Sequence, residues 1–129
     1  MRISRLLPIA ALFFVTQSFV TGAHAASVRQ FQPQGLVGSL SQVSARFSSD
    51  IVALGAADAP APFAIDCAGI SGEGRWQDTQ TWTWRPSRSL QPGERCIFTV
   101  NGGLTAKNGE AISGKQRFEF TGAAPRPWR

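Results

Sequence analysis

Short apolar runs that alternate with polar residues, each cut off by glycine or proline within a few positions, are what most constrains this chain. Val43, Ala45 and Phe47 alternate with Gln42, Ser44 and Arg46, and Phe63, Ile65 and Cys67 alternate with Ala64 and Asp66. Cys96, Phe98 and Val100 alternate with Ile97 and Thr99, and Phe118 and Phe120 with Arg117 and Glu119. A period of two places each apolar set on one face of a strand. Several such half-buried strands, separated by turn residues roughly every ten positions, make a sandwich or barrel. The expected fold class is therefore all-β, an antiparallel β-sandwich or barrel of about seven short strands.

The punctuation fixes the boundaries. Ala59-Pro60-Ala61-Pro62 forbids a helix just before the Phe63 strand, and Gln91-Pro92-Gly93 suits a tight turn before the Cys96 strand. Asn101-Gly102-Gly103 ends that strand, and Asn108-Gly109 reads as a hairpin tip between short segments around Leu104 and Ala111. Ser48 to Gly55 reads as a strand or a helical turn, and β-branched Ile51 and Val52 favour the strand.

Arg2 and Arg5, the apolar run Leu6 to Val15 and Ala23-His24-Ala25 before Ala26 have the order of a cleaved secretory signal peptide. The run is short for a bilayer span, so no stable membrane insertion is expected. The domain plan is then signal peptide over 1–25, one β-sandwich over 26–122, and linker or tail over 123–129, with a periplasmic or secreted location. Loss of Arg2 and Arg5 leaves eleven Lys and Arg against eight Asp and Glu, scattered without a basic run. That balance gives no footing for nucleic acid.

Export places Cys67 and Cys96 in an oxidising compartment, where an even count favours one inter-strand disulfide over a metal site; free or mixed thiols are the alternative. Both cysteines fall in the apolar register of their own runs and so face one interior. Closing that loop would remove on the order of 3 to 4 kcal/mol of unfolded-chain entropy.

Three of the four tryptophans lie within Gly74–Pro86. In Thr81-Trp82-Thr83-Trp84-Arg85, alternation turns both indoles to one face, and on a half-buried strand that face is the interior. A sandwich of this size often packs a buried aromatic on an inter-sheet disulfide. Trp82 and Trp84, with Phe98, Phe118 and Phe120, are the expected core framework. Trp76 precedes the polar turn Gln77-Asp78-Thr79-Gln80 and belongs to the partner strand of a hairpin, near its rim, where it is either core or a candidate surface contact. The functional alternative is an aromatic platform stacking on sugar rings or bases.

Catalytic groups are scarce. The one histidine, His24, leaves with the signal, so no histidine-based triad assembles. Asp66, Glu73 and Asp78 have no spacing that fixes a glycosidase separation. The glycines of Gly69–Gly74 lack the Lys-Ser/Thr ending of a phosphate loop. No catalytic residue, metal site or cofactor is expected, and the chain is not expected to be an enzyme.

A specific resemblance rests on the order of short motifs. These are Phe31, Pro33 and Gly35; Val43 to Ser48; Ile51 to Gly55; Pro62 to Cys67; Gly72 to Asp78; Trp82 to Trp84; Leu90 to Phe98; Gly103 to Gly109; and Phe118 to Gly122. Together they resemble the N-terminal region of bacterial α2-macroglobulin-like proteins, from about Phe31 to Gly122. The resemblance implies a macroglobulin-type, Ig-like domain at the amino end of a large periplasmic protease-trapping protein, with Cys67 and Cys96 as the structural bridge. Some family members carry a C-x-E-Q thioester. Neither cysteine here has that context, since Cys67 precedes Ala68-Gly69-Ile70 and Cys96 precedes Ile97-Phe98-Thr99.

On that resemblance the chain is a non-catalytic scaffold domain whose partners are neighbouring macroglobulin-type domains or another envelope protein. Proteases would be engaged only through a full-length protein. The alternative is a self-standing secreted Ig-like binding module for a glycan or cell-envelope polymer. A domain normally covered by neighbours is also expected to expose an apolar patch and to self-associate.

Overall fold

A computed structural model describes residues 25–124. The expected signal peptide and the Pro125–Arg129 tail lie outside the described residues, apart from Ala25. Nine strands run in chain order: β1 Ala26–Gln32, β2 Gly35–Val37, β3 Val43–Phe47, β4 Phe63–Cys67, β5 Gly72–Trp76, β6 Thr81–Pro86, β7 Arg95–Val100, β8 Ile112–Ser113 and β9 Arg117–Gly122. They form two sheets, β5-β6-β3-β1-β8 and β2-β9-β7-β4. The all-β sandwich is thus present, with two very short strands, β2 and β8, beyond the seven expected. These two pair in parallel, β2 with β9 and β8 with β1, at the edges of otherwise antiparallel sheets.

Alternation becomes burial. In β3, Val43, Ala45 and Phe47 are fully buried, and in β7 Cys96, Phe98 and Val100 are buried while Arg95 and Thr99 are exposed. Phe98 is the hub of the interior. Its ring lies 5.4 Å from those of Phe31 and Trp84, 5.8 Å from Phe120 and 5.9 Å from Phe63, so one residue of the second sheet meets two strands of the first. Aromatic pairs at these separations add to the burial of area itself.

Cys67 and Cys96 are bonded, and they are direct register partners of β4 and β7. The expected inter-strand bridge is thus present; it lies within one sheet and does not tie the two sheets together, unlike the inter-sheet bridge common in sandwiches of this size.

Ser48 to Gly55 is not a strand. It begins the long connection from β3 to β4, where Asp50 Oδ1 accepts from the Thr79 hydroxyl (2.7 Å) and from Gln80 Nε2 (3.1 Å). Ile51 reaches the core from this loop, its N–H donating to Thr79 O at 2.8 Å. The β-branched pair is apolar because the loop caps the core, and pairing is not required for that.

The predicted turns are present. Glu94 N–H closes on Gln91 O at 3.0 Å with Gly93 at φ +85°, the conformation that favours glycine after proline. Asn108 Oδ1 accepts from Glu110 N–H at 3.0 Å beside the isolated Thr105–Ala111 bridge.

Candidate functional site

The β5–β6 hairpin carries most of what the sequence offered as functional. Its turn is built by Asp78, whose Oδ1 accepts from the N–H groups of Gln80 (2.8 Å) and Thr81 (2.7 Å). Those bonds hold the Asp78 carboxyl below its ordinary value, the Gln80 N–H contributing most. Asp78 is thereby committed to the turn.

Inside the hairpin all three indoles are buried: Trp82 is 0% exposed and Trp76 and Trp84 are 3%. This corrects the rim position considered for Trp76. Its Nε1–H donates to Pro60 O at 3.2 Å and its backbone N–H to Ala57 O at 3.1 Å, so the β3–β4 loop covers it. Trp82 Nε1 is the one buried side-chain nitrogen or oxygen without a hydrogen-bond partner among the described residues.

The indoles fit because strand β5 supplies no side chains where they lie. Gly74 pairs with Trp84 and Trp76 with Trp82, and the rings lean diagonally across the pair. A Cβ on Gly74 would sit 2.6 Å from Trp82 Cζ2, and one on Gly72 would collide with the Trp84 indole and lie 2.7 Å from Arg85 O. The spacing G-x-G-x-W opposite W-x-W is thus one packing unit, in which each aromatic ring covers a strand glycine.

Outside, the same hairpin is polar. Thr83 is nearly buried, its Oγ1 accepting from Gln77 Nε2 (2.8 Å) and donating to Arg75 O (3.3 Å). Register places Glu73 opposite Arg85, Arg75 opposite Thr83, and Ser44 and Arg46 of β3 in the adjoining rows. A shallow depression of about 450 Å³ lies here between Asp58, Glu73, Arg75, Gln77, Thr83 and Arg85. A second, of about 400 Å³, lies between Leu54–Ala57 and Arg75–Asp78.

The structure does not bring the three candidate carboxylates together. Asp66 sits on the outer face of β4, Glu73 on the outer face of β5 in the other sheet, and Asp78 in the turn. Among the described residues no group of three His, Cys, Asp or Glu is arranged to hold a metal ion.

The remaining predicted framework residues are where alternation puts them. Phe98 is fully buried, Phe118 is 4% exposed and Phe120 is 1%, all facing the first sheet.

No protein-family model and no curated protein matches the sequence. Solved structures do match. An L,D-transpeptidase in complex with imipenem superposes with a TM-score of 0.52 at 17% identity, over 75% of this chain and 39% of that one. Domains 1–6 of the surface layer protein SbsC give 0.50 at 17% identity, over 81% of this chain and 14% of that one. An L,D-transpeptidase from Mycobacterium tuberculosis H37Rv gives 0.49 at 20% identity, over 75% of this chain and 40% of that one. The chain therefore spans less than half the length of each of these three. At such identities the likeness defines a class of fold, the Ig-like all-β sandwich domain, and goes no further.

Proposed function

We propose that this domain is a non-catalytic scaffold module of an exported, multi-domain envelope protein, and more finely a macroglobulin-type domain from the amino end of an α2-macroglobulin-like protease trap. The observation that carries the scaffold reading is the use made of the aromatic residues. Trp76, Trp82 and Trp84, the side chains best suited to stacking on a ligand, are spent on the interior. A binding platform would show their faces to solvent. The matched folds are in addition minority portions of longer chains, a transpeptidase and a surface layer protein, in keeping with a module that works beside others.

The finer assignment rests on the motif order from Phe31 to Gly122 and on the cysteine pair it contains. Under it the purified chain positions neighbours and does not itself inhibit a protease. Incubation with trypsin at equimolar ratio, followed by assay on a small chromogenic and a large protein substrate, should leave both activities unchanged. Stoichiometric loss of either activity would overturn the non-catalytic scaffold reading. The macroglobulin assignment has a separate test in the reading frame beyond Arg129: continuation into further macroglobulin-type repeats supports it, and a different continuation sinks it.

A further inference from the structure

We propose that the free edge of β5 is a strand-addition site for an extended segment of a partner polypeptide, one that carries an acidic residue followed two positions later by a basic one. This goes beyond the scaffold reading, which names no contact surface, and its failure would leave that reading standing.

Backbone accounting locates the site. Gln77 N–H donates to Thr81 O and Ser87 N–H to Ser71 O, each at 2.8 Å, so the odd-numbered residues from 71 to 77 face β6. The N–H and C=O groups of Gly72, Gly74 and Trp76 consequently face away from it. Trp76 N–H is taken by Ala57 O, but the four outward groups of Gly72 and Gly74 have no partner among the described residues. Both glycines are exposed, and β5 is the terminal strand of its sheet. Such an edge is ordinarily defended by charged side chains, lysine above all, by proline, a bulge or a covering loop. The two charges of β5, Glu73 and Arg75, are of opposite sign and repel only a strand of the wrong charge order. Gly72–Trp76 contains no lysine or proline, its register is unbroken, and the loop covers only its Trp76 end.

The other edges are weaker candidates. Strands β8 and β2 have two and three residues. On β4 the Cys67 carbonyl already accepts from Ile70 N–H, and the outer side chains, Ala64 and Asp66, do not form a pair of opposite charges.

The flanking side chains state the partner's chemistry. On the outer face Glu73 and Arg75 stand two residues apart, and neither lies in an ion pair within 4.0 Å among the described residues. An antiparallel strand laid on this edge puts its own charges directly opposite them, basic against Glu73 and acidic against Arg75. Opposite charges in that position favour pairing and like charges oppose it. On the inner side the Trp82 and Trp84 rings extend beneath Gly74 and Gly72, so the added strand's inward residues meet aromatic edges and favour small apolar side chains.

The test uses the disulfide-intact, isotope-labelled chain and acetyl-Val-Glu-Val-Lys-Val-amide as probe. Binding should shift the Gly72 and Gly74 amide resonances and slow their hydrogen exchange. The charge-swapped probe, acetyl-Val-Lys-Val-Glu-Val-amide, should bind about threefold or more weakly, as two cross-strand charge pairs dictate. The E73K/R75E double variant should reverse that preference, and both positions are surface sites whose exchange leaves the core untouched. Unchanged Gly72 and Gly74 amides, equal binding of the two probes, or shifts centred on Ile65 of β4 would overturn the proposal. Protection of the two glycines that grows with protein concentration and needs no peptide would also overturn it, by naming a second copy as the occupant.

Discussion

Gly72 and Gly74 have no side chains because an indole already fills the space each would need. The sequence displayed the tryptophans and their alternation, but the two glycines read only as a loop. A glycine's function here lies in what leans on it from the neighbouring strand, which no period along one strand records. A methyl at Gly74 must push Trp82 out of a fully buried position, and one at Gly72 meets both Trp84 and the Arg85 carbonyl. Overpacking of this kind typically costs about 1 to 3 kcal/mol. Gly74→Ala and Gly72→Ala should each lower the unfolding free energy in urea by that amount, while Gly102→Ala, whose Cβ meets nothing within 4 Å, should stay within about 0.5 kcal/mol. Equal effects at all three would mean that the indoles do not rest on β5. Glu94 supports a second residue-scale expectation. Both oxygens of its carboxylate bond the Arg88 guanidinium, at 2.7 and 2.9 Å, and Oε1 also accepts from Gln91 N–H. The guanidinium first, and then the amide, pull its pKa from 4.5 to about 2. Because the folded value lies below the unfolded one, this stabilisation is complete above about pH 4.5 and is lost as pH falls through about 2. Urea midpoints measured down that window should fall less steeply in Glu94→Gln than in the unaltered chain. Parallel curves would refute the assignment.

Strands whose alternation is regular were readable in advance: β3, β6, β7 and β9 each present at least two buried residues at a spacing of two, and β4 buries Phe63 and Cys67 with the half-buried Ile65 between them. Strand β1 was not, because its register shifts between Val28 and Gln30 and moves Phe31 out of phase with the residues before it. Strands β2 and β8 are too short to show any period. Ile51 and Val52 erred in the other direction, since burial by a capping loop selects the same residues as burial in a strand. The cysteine pair sits between these cases. Inward facing followed from register, but which strands lie side by side follows only from the order β2-β9-β7-β4. With Cys67 and Cys96 as one of five consecutive register pairs of β4 and β7, the bridge reinforces a ladder that backbone bonds already define. Its contribution should come mainly through the unfolded chain, at about 3 to 4 kcal/mol for a separation of 29 residues. The C67A/C96A variant should therefore keep its far-ultraviolet circular dichroism and lose about that much stability in guanidinium. A variant that failed to form the β sheets at all would show the bridge to be part of how β4 finds β7.

At the scale of the molecule, the interior and the exterior make separate demands on the same interpretation. The interior holds three indoles at 3% exposure or less. In a Trp128→Phe chain, which leaves only those three, emission should be blue-shifted and acrylamide quenching several-fold weaker than after unfolding. Ready quenching would return the tryptophans to the surface and reopen the stacking platform. The exterior tells against the apolar patch expected of a domain stripped of its neighbours. Among the described residues the exposed large hydrophobics are two, Leu36, at 77% on β2, and Leu54, at 88% on the β3–β4 loop, each on a different element. Scattered single residues of this kind are ordinary on a monomer. Contact with a neighbour would have to be made through polar side chains or through backbone, and the outward groups of Gly72 and Gly74 offer the second. Polar and edge contacts of such small extent do not hold two copies together at ordinary concentrations. Sedimentation velocity on the purified chain should accordingly give a single monomeric species from low to high micromolar concentration, in place of the self-association expected of a domain stripped of its neighbours. Because Glu73-Gly74-Arg75 itself places an acid two residues before a base, a dimer that dissociates in Glu73→Lys and re-forms in the E73K/R75E double variant would mean instead that the open edge of β5 is satisfied by the chain's own twin.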